Sequence, residues 1–389
     1  MEQFDVVIIG AGLAGLQCAR LLSQDGLKVL LADRKLELSK SIHTTGIFVR
    51  RTLEDFAIPE ECLGPAVRHV TLHSPARRTL ELSSPHDEFR IGRMALLYQR
   101  FLEQSLQNGV EWMPGTRYVN HSRLKHDLVL RLDNKRSSRW VKTRYVIGAD
   151  GAKSRVARDL QLASNREWIV GIEDVFSGVP LNGPPRLHCF LDRTLAPGYL
   201  AWIANDGEEV HVGVGGYPAM FDPATALERF RKSIGGVIDL GSANLIERRA
   251  GRIPVGGVLR RIANNDGLLV GDAAGAVSPL TAGGLDPSMR LSTLAADVVK
   301  SYLATNDPEA LSAYSGELFR SRFTSRIWMR RMITTLNQPA LELACLVLRF
   351  PVLQLFASHV FFGRGSFPDI ESKTRIKHIE SNSMVLDAQ

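Results

Sequence analysis

Residues 4–22 read FDVVIIGAGLAGLQCARLL, and the fold turns on this stretch. Phe4 to Ile9 form a β-branched apolar run that stops at Gly10, and from Leu13 to Leu22 apolar residues recur at helical spacing. The pattern predicts strand, tight turn and helix. Gly10, Gly12 and Gly15 complete a G-x-G-x-x-G turn in which the first glycine permits the turn, the second admits a pyrophosphate, and the third lets helix pack on strand. Leu13 and Ala14 open the helix, whose free N–H groups then face the phosphates. A second apolar strand, Lys28 to Ala32, ends at Asp33, about twenty residues further on, where a carboxylate accepts hydrogen bonds from a ribose. A glycine triplet alone is often a structural turn. Strand, triplet, helix, strand and acid in one run point instead to a bound dinucleotide, without saying which.

Two distant segments repeat the theme of a strand ending in a polar turn. Val146-Ile147-Gly148-Ala149-Asp150-Gly151 is an apolar strand closed by Asp-Gly, with a helix start after it at 152–158. Gly267-Leu268-Leu269-Val270-Gly271-Asp272 is another, followed by Pro279, the pair Gly283 and Gly284, and a helix from about Leu285 to Tyr302. An acid at such a strand end holds a polyol hydroxyl, and a glycine turn before a new helix brings backbone N–H groups close to a ring or phosphate.

In order, GAGLAG at 10–15, GADGAKSRVAR at 148–158 and GDAAGAVSPLTAGG at 271–284 resemble the three signatures of the flavoprotein monooxygenase superfamily and, within it, of the geranylgeranyl reductase family. The resemblance implies an α/β fold in which a Rossmann-like, p-hydroxybenzoate hydroxylase-like FAD-binding domain interleaves with a β-sheet substrate domain, followed by C-terminal helices. It places the first motif, with Asp33 and Arg34, on the ADP part of FAD, and Asp150 and Gly151 near the pyrophosphate. Asp272 falls on the ribityl chain and Gly283 and Gly284 beside the isoalloxazine, with Pro279 and Leu285 also among the cofactor-binding residues. Arg93 matches an arginine set against FAD just before a helix; the alternative reading is a solvated helix-start residue. The implied division gives 1–60, 88–163 and 258–303 to FAD, 61–87 and 164–257 to substrate, 304–366 to helices and 367–389 to a flexible tail.

Short alternating stretches at 66–84, 186–192 and 198–217, with a hairpin signal at Asn205-Asp206-Gly207, predict a sheet domain with the flavin ring at its junction. Tyr199 and Trp202 resemble the family's aromatic substrate-facing segment, one residue further apart than usual, and equally fit sheet-core aromatics. His43 and Thr45 lie where the superfamily brings a loop to the flavin. They are the candidates for contact with substrate or flavin, against the reading of an ordinary loop, and the family's cysteine is missing there. No Ser-His-Asp or metal-ligand spacing competes, so redox chemistry is left to the cofactor.

A chain of 389 residues suits two domains, and 44% hydrophobic with 23% charged residues is ordinary for a globular protein. The 48 Lys and Arg against 41 Asp and Glu give +7, which favours an anionic ligand or surface. No basic run interleaved with aromatics supports nucleic acid. Cys18, Cys62, Cys189 and Cys345 are scattered, so neither zinc nor a disulfide framework is expected. With the N-terminus running straight into a strand, this suggests the cytoplasm.

Asp307-Pro308 reads as the cap of a helical stretch running beyond Met329, with Phe319, Phe323 and Ile327 on one stripe. Arg322, Arg326 and Arg330 form a basic stripe that suits anionic lipid and equally a solvated face. The apolar stretch from Pro339 to Phe362 is interrupted by Glu342, Arg349, Pro351 and His359 and is not expected to cross a bilayer. These helices are expected to cover a channel for a hydrophobic small molecule and to touch membrane peripherally. Gly275, where aromatic hydroxylases usually carry histidine, favours a double-bond reductase fed by NAD(P)H or a protein donor. A monooxygenase using NAD(P)H and oxygen is the runner-up, with a halogenase or a non-catalytic flavoprotein behind it.

Overall fold

The computed structural model describes residues 1–363 apart from His126, together with Gly365 and Pro368. The tail expected from 367 onward therefore lies, Pro368 aside, outside the described residues. Glu2–Ile9 pairs in parallel with Val29–Ala32 on one side and Ser138–Gly148 on the other, and Gly267–Leu269 and Glu111–Met113 extend the parallel core. Because this sheet is covered on both faces, its strands are near-continuous apolar runs, and Val6, Val7 and Ile8 are wholly buried. Arg117–Leu124, Asp127–Asp133 and Ala263–Asn264 complete the eight strands antiparallel.

Leu13–Gln24 packs between Met94–Gln107 and Leu285–Thr305. Leu16 and Leu22 are fully buried there, each contributing about 1.5–3 kcal/mol by leaving water. A second sheet of seven strands runs in the order Asn244–Pro254, Trp168–Ser177, Glu209–Gly216, Ala201–Asn205, Arg186–Phe190, His69–His73, Thr79–Ser83. One of its faces packs Ile172, Phe176, Val212 and Val214 against Leu227 and Phe230 of the helix Pro223–Ser233. That helix starts where the Asp222 carboxylate accepts from Thr225 N–H and Pro223 fills the first turn. Its other face looks toward the dinucleotide half. Ile47–Val49, Phe89–Gly92 and Leu63–Val67 form a small third sheet.

The C-terminal region departs from the single long helix expected after Asp307. Asp307 does cap, accepting from Glu309 N–H, but only a 3-10 turn, Pro308–Leu311, follows. The chain then breaks because the buried Tyr314 donates its hydroxyl to Leu269 O and Gly316 is pressed against the Leu259 and Arg260 carbonyls. Gly316–Ser321 and Thr324–Thr335 restart the helix, with Phe319 and Phe323 buried as the stripe predicted and Ile327 packed beside them. Gln338–Val347 and Pro351–Phe362 follow, bent by 106°, and among the described residues no single helix is long and apolar enough to cross a membrane.

Candidate functional site

The glycine loop after the first strand is shaped by contacts that exclude a side chain. Gly10 has φ +108°, and a Cβ there would lie 2.2 Å from Ala149 O; at Gly15 it would lie 1.9 Å from Gly10 O. At Gly12, by contrast, nothing stands within 4 Å of that position, so the helix N-terminus beginning at Leu13 and Ala14 is open to a ligand. Asp33 closes the loop from the next strand, its carboxylate accepting from Ala11 N–H at 2.7 Å and Lys35 N–H at 2.8 Å. Arg34 is exposed beside it. A tight backbone turn, an open helix start and an acid within reach fit the adenosine and pyrophosphate of FAD.

The other two strand ends converge on this loop. A Cβ on Gly271, which sits at φ +56°, would meet Ala14 Cβ at 2.9 Å, so the third motif touches the first. Burial pushes the Asp272 carboxyl up to about 6. Asp272 Oδ1 lies 3.7 Å from where Gly284 would carry its Cβ, next to the start of the helix at Leu285. Asp150 accepts from Arg155 and Val156 N–H at 2.6 and 3.2 Å, and Gly151 beside it is open, at φ +81°. Asn165, which no sequence signal marks, bridges the two segments by donating to Ala152 O and Asp272 O. Arg93 points elsewhere. It pairs with Glu208 at 2.9 Å and donates to Glu61 O at 3.2 Å.

The seven-stranded sheet brings a face rather than strand ends. Trp202 lies over Gly171 and Gly213, and Tyr199 over Gly215: a Cβ on Gly213 would be 2.2 Å from the indole, one on Gly215 2.8 Å from the phenol ring. The missing side chains thus make room for two aromatic plates, and the Tyr199 hydroxyl ties them to the 278–284 loop by donating to Thr281 O at 2.7 Å. Beside them sits Glu173, one of two adjacent buried acids, with Asp174, in the strand Trp168–Ser177. It accepts from Thr45 Oγ1 at 2.6 Å and Trp202 Nε1 at 3.3 Å, with His211 and Arg249 nearby. Despite burial, the nearby His211, the Thr45 donor and Arg249 hold its carboxyl below the usual range. Thr45 therefore joins the aromatic wall. His43 is exposed and passes over Gly251 instead.

The basic stripe requires a correction. Arg330 is neither solvated nor available to lipid: only 4% exposed, it donates to Pro279 O, Gly198 O and Tyr217 Oη, each at 3.0 Å, joining the glycine-rich loop to the aromatic wall. Arg326 reaches Ser278 Oγ at 3.4 Å, while Arg322 stays exposed. The fourfold spacing that suggested one surface stripe is real, but the neighbouring loops fold over its last member.

The sequence profile of the FAD binding domain family matches residues 3–328. Digeranylgeranylglycerophospholipid reductase 1 of Methanococcoides burtonii is 25% identical over 317 residues, 79% of this chain and 76% of that protein. A geranylgeranyl bacteriochlorophyll reductase-like structure from Thermoplasma acidophilum superimposes with a TM-score of 0.83 at 19% identity, over 98% of this chain and 99% of the other. The p-nitrophenol 4-monooxygenase of Pseudomonas putida gives 0.70 at 15% identity, over 95% and 100%. Likeness at these identities speaks for a shared fold that hosts more than one chemistry.

Proposed function

The chain belongs to the FAD binding domain family and is an FAD-dependent oxidoreductase; from that premise we propose that it adds hydrogen across a carbon–carbon double bond of a hydrophobic, isoprenoid substrate. NADH, NADPH or a protein donor supplies the electrons. The observation that carries this reading is the aromatic wall: Trp202 and Tyr199 pack edge-to-face over a glycine floor, and Tyr199 is tied through Thr281 to the 278–284 loop. Such a wall binds hydrocarbon by area and shape, as a polyprenyl chain requires. The reductase name borne by the relative covering 79% of this chain supports it independently.

In this reading Gly10, Gly12, Gly15, Asp33 and Arg34 hold the ADP portion, Asp150 and Gly151 line its path, and Asp272 holds the ribityl chain. Pro279, Gly283, Gly284 and Leu285 border the ring. When bound, FAD supplies the two-electron chemistry. The protein orients the double bond against Trp202 and Tyr199, excludes water there, and uses Thr45, fixed by Glu173, to close the flavin side; His43 stands at the rim. The C-terminal helices deliver the substrate from a membrane surface: Val352, Leu355 and Phe350 are 77%, 72% and 65% exposed, and Arg331 and Arg349 lie among such residues. Replacing Val352 and Leu355 by Asp is expected to abolish flotation with anionic vesicles; unchanged flotation removes the membrane contact.

Anaerobic reduction by NADH and by NADPH, followed by an unsaturated isoprenoid lipid, tests the reading in the flavin spectrum. Reoxidation by the lipid without oxygen is the expected result. Oxygen-dependent hydroxylation of the substrate contradicts it and favours the monooxygenase.

A further inference from the structure

The hairpin joining Ala201–Asn205 to Glu209–Gly216 holds a group of side chains that the redox reading leaves unused. Glu209 and His211 stand two residues apart on one strand and so share a face. Asp206 enters from the turn, where its Oδ1 accepts from Glu208 and Glu209 N–H at 2.9 and 2.6 Å. One ligand-capable atom from each of the three lies within 4.8 Å of the other two. A second observation is independent of that proximity. The His211 ring is 2% exposed, yet neither of its nitrogens has a hydrogen-bond partner. Its Nδ1 at least faces the Glu173 carboxylate, but a buried Nε2 with no partner is costly unless something else occupies it.

The surroundings say what that is. Glu173 Oε1, which also lacks a hydrogen-bond partner, stands 3.5 Å from His211 Nδ1. With Nδ1 turned to a carboxylate, Nε2 is the nitrogen left to bind, and a carboxylate behind a histidine is how proteins orient an imidazole on a metal. We propose that Asp206, Glu209 and His211 bind a divalent transition-metal ion of the zinc class, with Glu173 as the outer carboxylate. One nitrogen and two carboxylate ligands suit such an ion and leave a position for water. Nearby cations do not fill the place: Arg93 is drawn off to Glu208, and Arg249 divides itself between Glu247 and Glu173. The ion fixes the hairpin and, through Glu173, the Thr45 and Trp202 contacts of the aromatic wall.

The test uses the full-length, FAD-loaded protein, dialysed against chelator and titrated calorimetrically with Zn²⁺, with the flavin spectrum reporting the fold. One ion per chain is expected. His211→Ala abolishes uptake, and Glu209→Gln, half-buried and tolerant of change, weakens it at least about tenfold. Glu173→Gln weakens it by about 10–100-fold, the usual loss for an outer partner. His188→Ala, remote from the cluster in a histidine pair with His73, Nε2 to Nδ1 3.1 Å, leaves uptake unchanged. No uptake by the wild type, uptake untouched in both His211→Ala and Glu209→Gln, or uptake lost in His188→Ala overturns the proposal. None of these results depends on the substrate or reaction assigned above.

Discussion

The two large sheets meet at one site by opposite means. The eight-stranded sheet offers strand ends, where Gly10, Asp33, Asp150 and Asp272 expose backbone and carboxylates at successive C-termini. The seven-stranded sheet offers a face, where Gly171, Gly213 and Gly215 lie under Trp202 and Tyr199. Strand ends suit a polar, phosphate-bearing ligand because turns and helix starts leave N–H groups unpaired. A face stripped to glycine and covered by aromatics suits an apolar one. Binding of cofactor and binding of substrate should therefore be separable by mutation.

The sharpest way to break that comparison is Gly15→Val, which drives a branched side chain into Gly10 O from a Cβ only 1.9 Å away. Purified protein is expected to carry no FAD, and a yellow variant sinks the strand-end account. Gly213→Val should do the converse, keeping FAD while displacing Trp202 and lowering kcat/KM by about a hundredfold, the order expected for misplacement by about an ångström. Loss of FAD along with activity would show that cofactor and substrate binding are not separable.

Arg330→Ala sharpens the join between the regions. It leaves the Pro279 and Gly198 carbonyls without their donor and is expected to cost about 3 kcal/mol in urea unfolding, with a raised KM for the lipid. A surface arginine would cost almost nothing.

The smallest effect concerns Asp272, whose carboxyl is raised by burial to about 6. Its contribution to the stability of FAD-free protein is complete below about pH 4, where the unfolded chain titrates, and is lost as pH rises through about 6. Asp272→Asn should remove that slope, raising the Tm of the FAD-free protein at pH 7 by a few degrees while weakening FAD. Parallel pH curves for wild type and variant would contradict the burial argument.

The same comparison explains what the sequence made legible. At the strand ends the chemistry is local: Gly10, Gly12 and Gly15 act on a turn and helix that adjoin them, and the parallel sheet follows from their apolar flanks. The face is assembled from afar. Glu173 meets Thr45 across 128 residues and Arg330 meets Gly198 across 132, so no spacing announces either contact. The adjacent acids Glu173 and Asp174 in the run 168–177 were a signal, since such groups are buried only with partners and alternate residues of a strand face opposite sides. The periodicity at 308–330 gave the right buried stripe and missed the break at 312–315, because Tyr314 and Gly316 answer to the Leu269 and Leu259 carbonyls rather than to helix propensity.

The measurement closest to the central claim is mass spectrometry of a polyprenyl lipid incubated with reduced, FAD-loaded protein under nitrogen. The account predicts a product gaining two hydrogens for each double bond removed, formed without oxygen and lost in Gly213→Val. A lipid unchanged under nitrogen, and gaining oxygen when air is admitted, would contradict it.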